Sequence, residues 1–109
     1  MLALTIKHPY IDQIVNGSKT IETRKFYFKG VLGEKVLFIS PFKDEVQIQA
    51  IVEITNIKRL ELSDFEQTKL ETKDNLLDLY GYWFKILDVK QVKENKIIGK
   101  LGFFNINYA

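Results

Sequence analysis

Residues 46–57 follow a period of two: Val46, Ile48, Ala50, Val52, Ile54 and Asn56 fall on one face, and Gln47, Gln49, Ile51, Glu53, Thr55 and Ile57 on the other. Neighbouring side chains of a strand point to opposite faces, so this is a strand, and a period of two held over ten or more residues predicts one long enough to curve around a barrel. Shorter strand signals surround it. Residues 2–6 are apolar and contain Thr5, residues 19–25 alternate, and residues 35–40 form a β-prone run closed by Pro41. Residues 82–92 and 98–108 supply two more, separated by a polar turn at 93–96, and Gly99-Lys100-Leu101-Gly102 reads as a bulge or tight barrel bend.

Two helical stretches interrupt the strands. His8-Pro9-Tyr10 opens the first, since proline in a first turn lacks only a donor that has no partner anyway. Tyr10, Ile11, Ile14 and Val15 make its apolar stripe, and Gly17 its left-handed stop. The second follows Ser63-Asp64-Phe65-Glu66, which has the spacing of a capping box. It is acidic, breaks near 71–73 and resumes over 75–79, where Leu76, Leu77 and Tyr80 can pack. The fold class is therefore α+β: a small mixed β-barrel of about six strands, with a helix after the first strand and an acidic helical insert before the last two. No strand is long enough to bury much alone, so they must share one curled sheet. At 109 residues the chain is expected to be a single domain spanning 1–109.

Composition removes several functional classes. With no cysteine there is no disulfide, thiolate nucleophile or zinc knuckle, and a lone His8 leaves no metal cluster of the usual kind. The glycines form neither a Walker loop nor a dinucleotide fingerprint. No cofactor, metal or membrane partner is expected, and the lack of a long apolar run or signal-like start predicts a soluble, cytoplasmic domain. Net charge is only +2, but it is unevenly spread: residues 1–43 carry +4, residues 44–80 carry −5 and residues 81–109 carry +3. If the basic thirds meet, they form one positive surface able to attract a polyanion; the plainer alternative is lysines that solvate strand edges. The acidic block alone points to nothing more specific than a solvated face.

Gly17, Lys19, Glu22 and Arg24 are the most informative residues. On a strand, Thr20, Glu22 and Arg24 share one face and Lys19, Ile21 and Thr23 the other. Glu22 and Arg24 are then about 7 Å apart, close enough to pair or to hold one ligand. If Ile21 points into the core, Lys19 lies on that inward side near the barrel mouth, either reaching for water or lining a pocket. The Gly-x-Lys-x-x-Glu-x-Arg pattern after a first helix resembles the hallmark of the ASCH family of PUA-like domains. Leu4-Thr5-Ile6-Lys7 followed by Pro9 resembles the family's first strand and helix start, and Gly33-Glu34-Lys35-Val36 its turn into the next strand.

That resemblance implies a PUA-like barrel with a cleft beside the first helix, where RNA or a nucleotide binds. Some compact bacterial members are metal-free amidohydrolases acting on N4-acetylcytidine, using a lysine and a threonine of this segment and a glutamate further along. Lys19 matches the lysine, but the threonine position falls on Glu22, so the expected hydroxyl is absent; Thr20 and Thr23 are only adjacent. Glu66 and Glu71 are the candidates for the distant glutamate.

Two functions are carried forward. As a binding module, the chain would contact RNA or a nucleotide through Lys19, Glu22 and Arg24, with Lys7, Lys25 and Lys29 extending the positive surface and Tyr27, Tyr82 or Trp83 stacking on a base. As an enzyme, it would use Lys19 and Glu22 as an acid/base pair on a modified nucleoside, Glu22 activating water in place of the threonine. The plainer readings are a surface ion pair for Glu22–Arg24, core packing for the aromatics and a lid role for Phe26-Tyr27-Phe28. His8 reads as a local capping or turn residue, with no carboxylate partner evident.

Overall fold

A computed structural model describes residues 1–108. In chain order it contains β1 (Leu2–Thr5), α1 (Tyr10–Val15), β2 (Ile21–Arg24), β3 (Lys35–Ile39), β4 (Gln47–Arg59), α2 (Phe65–Thr68), β5 (Tyr80–Val92) and β6 (Phe104–Asn105). The six strands form one curled sheet in the order β2-β5-β4-β3-β1-β6, in which β1 runs parallel to β3 and every other pair is antiparallel. This is the α+β barrel-like architecture that the strand and helix signals predict.

The long alternating segment is β4, paired with β5 from Gln47↔Val92 to Arg59↔Tyr80. Two irregularities bend this ladder. Leu87 is the extra residue between Ile51↔Asp88 and Val52↔Ile86, and Thr55 the extra one between Ile54↔Phe84 and Asn56↔Trp83. An unpaired residue shifts the alternation by one, so Ile57 replaces Asn56 on the inward face. Ala50, Val52, Ile54 and Ile57 thus all reach the main core, where Ile11 and Ile14 of α1 fill the hollow of the sheet with Leu4, Ile6, Phe38 and Tyr82.

The outer face of β4 is covered too, which its polarity concealed. Residues 97–108 cross it and enclose Ala3, Leu37, Ile39 and Phe104 in a second core. Gln47 and Gln49 are buried beneath them, and Gln47 satisfies itself by donating to the carbonyls of Ser40 and Ile97 (2.8 and 2.9 Å) while its Oε1 accepts from Ile97 N–H (2.9 Å). A buried amide is tolerated here because it is fully hydrogen-bonded.

Three local expectations change. Of the strand expected over 98–108, only β6 pairs, through Leu2↔Asn105 and Ala3↔Phe104. The bend before it presses on β1: a Cβ on Gly99 would lie 2.3 Å from Thr5 Oγ1, and Gly102 has φ +66°. The capping interaction of the insert falls two residues early, with Asp64 Oδ2 accepting from Glu61 N–H at 2.9 Å, and α2 is a single turn ended by Lys69 in the left-handed region. The insert instead gains its order from a third core of Ile21, Leu60 and Leu76 with Phe65 and Trp83. His8 does have carboxylate partners: Nδ1 meets Asp12 at 2.5 Å and Nε2 meets Asp44 at 2.6 Å, tying α1 to the β3–β4 loop. Among the described residues, no helix is long and apolar enough to cross a membrane.

Candidate functional site

β2 is held against β5 in the register Ile21↔Trp83, Glu22↔Tyr82 and Arg24↔Tyr80. Ile21 faces the insert and its small core, so Glu22 and Arg24 face the concave side of the sheet, beside α1. Lys19 precedes the strand, with its backbone N–H bonded to Gln13 O (3.0 Å). Strand parity therefore does not govern it. Its side chain goes to the side of Glu22, not to the side of Ile21 as alternation predicts.

The result is a buried charge cluster. Lys19 is 1% exposed and Glu22 5%. Lys19 Nζ donates to the carbonyls of Ile21 (2.8 Å) and Thr68 (2.5 Å) and lies 3.4 Å from Glu22 Oε1. Arg24 Nη2 donates to Glu22 Oε2 at 2.8 Å and to Thr5 O at 3.2 Å. Glu22 is thus clamped between two cations, and the trio carries +1. Burial pushes the Lys19 pKa below its ordinary value; the Glu22 carboxylate partly offsets this, and Arg24 adds to the lowering. The Tyr10 ring lies under both nearby ammonium groups, 5.1 Å from the buried Lys19 Nζ and 6.0 Å from the exposed Lys7 Nζ, which stabilises positive charge at the first. Glu22–Arg24 is consequently no plain surface pair.

The trio lines an open cleft of about 890 Å³ together with Phe42, Leu70 and the 98–102 bend. That volume lies within the range of small-molecule sites. Two side-chain atoms near Arg24 are buried without a partner: its own Nε and Thr5 Oγ1. Buried donors and acceptors are normally satisfied, so these two are exceptions inside the wall itself. Among the described residues, no three His, Asp or Glu side chains are grouped as a metal site requires.

The expected site residues divide. Lys7, Lys19, Glu22 and Arg24 come together in the cleft. Lys25, Tyr27 and Lys29 are exposed on the loop after β2 and do not line it; the Tyr27 ring packs edge-on against Tyr80 at 5.4 Å. Trp83 faces the insert with Lys58 over its ring at 4.9 Å, so it is not a platform for this cleft. Tyr82 is 1% exposed, and its hydroxyl donates to Phe26 O while accepting from Phe28 N–H (2.9 Å), so it pins a loop instead of standing open for stacking. Glu66 and Glu71 do not line the cleft either. Sequence reasoning missed Tyr10, which reads as part of an apolar stripe, and Lys100, which is hidden inside a glycine bend.

The family model described as "ASCH domain" matches residues 4–98. Among solved structures, the chain is similar to ASCH from Zymomonas mobilis, with TM-score 0.60 and 12% identity over 77% of this chain and 66% of that one, just under two thirds of its length. It is also similar to a tyrosine-to-phenylalanine mutant of ZmASCH from Zymomonas mobilis, with TM-score 0.70 and 10% identity over 97% of this chain and 89% of that one. No curated protein matches the chain.

Proposed function

Since the chain belongs to the ASCH domain family, we propose that its cleft beside α1 binds RNA, or a nucleotide from RNA, with residues 1–109 acting as one domain in the cytoplasm. The observation that carries this reading is the clamped Lys19–Glu22–Arg24 trio, which leaves net positive charge and a partly exposed guanidinium at the wall of an open cleft. Lys7 and Lys100 add two more cations to the lining. Such a surface favours a phosphate-bearing ligand, with the guanidinium supplying directional donors and the lysines point charges. The basic thirds of the sequence meet at this place, as Lys7 and Lys19 come from one and Lys100 from the other.

A second reading, a metal-free amidohydrolase acting on a modified nucleoside such as N4-acetylcytidine, draws on the Lys19–Glu22 contact and the lowered Lys19 pKa. Against it, Lys19 Nζ donates to two backbone carbonyls and pairs with Glu22, both Glu22 oxygens lie against cations, and no threonine stands at the position the resemblance requires. That is the arrangement of a satisfied charge cluster, so binding is placed first.

Fluorescence anisotropy of short single-stranded and hairpin RNAs tests the reading. Wild type should bind, more weakly as salt rises, and Lys7→Ala/Lys100→Ala, at two exposed lysines of the cleft, should lose most of the affinity while remaining folded. No binding by folded wild type at low salt would end the RNA reading. Turnover of acylated nucleosides that falls by orders of magnitude in Lys19→Ala and Glu22→Gln would establish the second reading instead.

A further inference from the structure

Beside the cleft lies a second hollow, of about 250 Å³, whose walls are Phe26, Phe28, Tyr82 and Phe103 with Gly102 and Arg24. We infer that this hollow is a nucleobase subsite, taking the flat ring of a ligand whose phosphate rests against the cations of the main cleft; this rests on the nucleotide reading above. Continuity is the first argument. Arg24 and Gly102 line both spaces, so one ligand can span them with Arg24 at the junction. Size is the second. A hollow smaller than the roughly 300–1,000 Å³ of whole-ligand sites accepts part of a molecule.

Wall chemistry then selects the part. Four of the six lining residues are aromatic, and Phe28 and Tyr82 already pack on Phe103 at 5.1 and 5.6 Å between ring centroids. Phe26, by contrast, is 78% exposed. A large apolar ring left in water at the rim of an aromatic hollow is suited to cover a planar guest. The loop carrying it is held in place beforehand, because the buried Tyr82 hydroxyl binds both Phe26 O and Phe28 N–H. Little ordering cost remains for binding. The partly exposed Arg24 guanidinium at the junction offers donors to an acceptor on a base edge, which distinguishes a nucleobase from an aliphatic group.

Calorimetric titration of wild type and Phe26→Ala with adenosine 5′-monophosphate, uridine 5′-monophosphate and ribose 5-phosphate tests the inference. Phe26 is so exposed that its removal should leave folding intact. Wild type should bind at least one nucleotide about tenfold more tightly than ribose 5-phosphate, in keeping with the usual worth of stacking one base. Phe26→Ala should reduce that preference to within about threefold while leaving ribose 5-phosphate affinity unchanged. If wild type binds all three alike, or if Phe26→Ala keeps the full preference, the base subsite is wrong and the cleft reading stands. If wild type binds none of them at low salt, the cleft reading fails for nucleotides and the subsite fails with it.

Discussion

Lys19 Nζ lies 3.4 Å from Glu22 Oε1 although the two residues belong to opposite faces of an ideal strand. The contact exists because β2 starts only at Ile21, leaving Lys19 free of strand parity, and because the turn of α2 supplies Thr68 O as an acceptor 2.5 Å away. An ammonium in this position is surrounded by oxygen yet cut off from water.

Removal of that ammonium should be costly. Lys19→Ala strands the buried Glu22 with Arg24 alone, and breaking a buried pair in this way costs about 3–5 kcal/mol. Urea unfolding is the measurement. A loss under about 1 kcal/mol, the level of exposed pairs, would show that the cluster contributes little to the fold.

The same lysine should leave a mark at alkaline pH. Its folded pKa is below the ordinary 10.5, so between the two values the unfolded state binds more protons. Stability then rises with pH across that window, and below it the desolvation cost is fully present. Wild type should therefore gain stability relative to Lys19→Met as pH climbs toward 10.5. Comparison of the two cancels tyrosine ionisation, including that of Tyr82, whose pKa is raised by burial. Parallel pH profiles for the two proteins would contradict the buried environment assigned to Lys19.

His8 supplies an opposite dependence. Its pKa is raised, first by the bond to Asp44 and then by that to Asp12, and Asp44 is lowered by the same bond. Only the imidazolium can donate from both nitrogens. The bridge is therefore complete below the ordinary His value near 6.5 and is lost as pH rises through the raised folded value. At the acid end it is lost as pH falls through the lowered Asp44 value. With His8 side chain 43% exposed, the effect should be at most about 1 kcal/mol. Lys43 beside Asp44, and Lys96, which donates to Asp44 O at 2.8 Å, act on the same loop. Thermal unfolding of wild type and His8→Asn between pH 4 and 9 should diverge only on the acid side of the raised pKa; a constant difference would exclude the bridge.

Lysines in the cleft and lysines on the loop should separate by salt dependence. Lys7→Ala and Lys100→Ala should each weaken RNA binding and reduce the slope of log affinity against log salt by about 0.7, the single-strand value for one lost phosphate contact. Lys25→Ala and Lys29→Ala, outside the lining, should change neither quantity much. A reversed pattern would move the binding surface to the 25–29 loop.

Gly99 tests the wall formed by the last bend. Its missing Cβ would sit 2.3 Å from Thr5 Oγ1 and 3.2 Å from Thr5 Cβ and Cγ2. Gly99→Ala should destabilise by about 1–3 kcal/mol, as overpacking does. Adding Thr5→Ala, which removes the clashing hydroxyl, should restore part of the loss in a double-mutant cycle. Simple additivity would mean that the two do not touch.

What the sequence determined by itself was periodic or local. The alternation of β4, the stripe and stop of α1, and the pairing of Glu22 with Arg24 on one face were all legible, because each is set by neighbours within a few residues. Only the tertiary structure decided which faces were covered. Gln47 looks solvent-facing until residues 97–108 cross above it, and Ile57 changes side because a bulge at Thr55 shifts the parity. Lys19 and Glu22 meet, Trp83 turns away toward the insert and Tyr82 becomes a loop anchor for the same reason: partners of all three sites come from elements far away in sequence. Alternation says only that a side chain points to one side or the other. Burial depends on what packs there, and that is fixed by long-range contacts that no local pattern encodes.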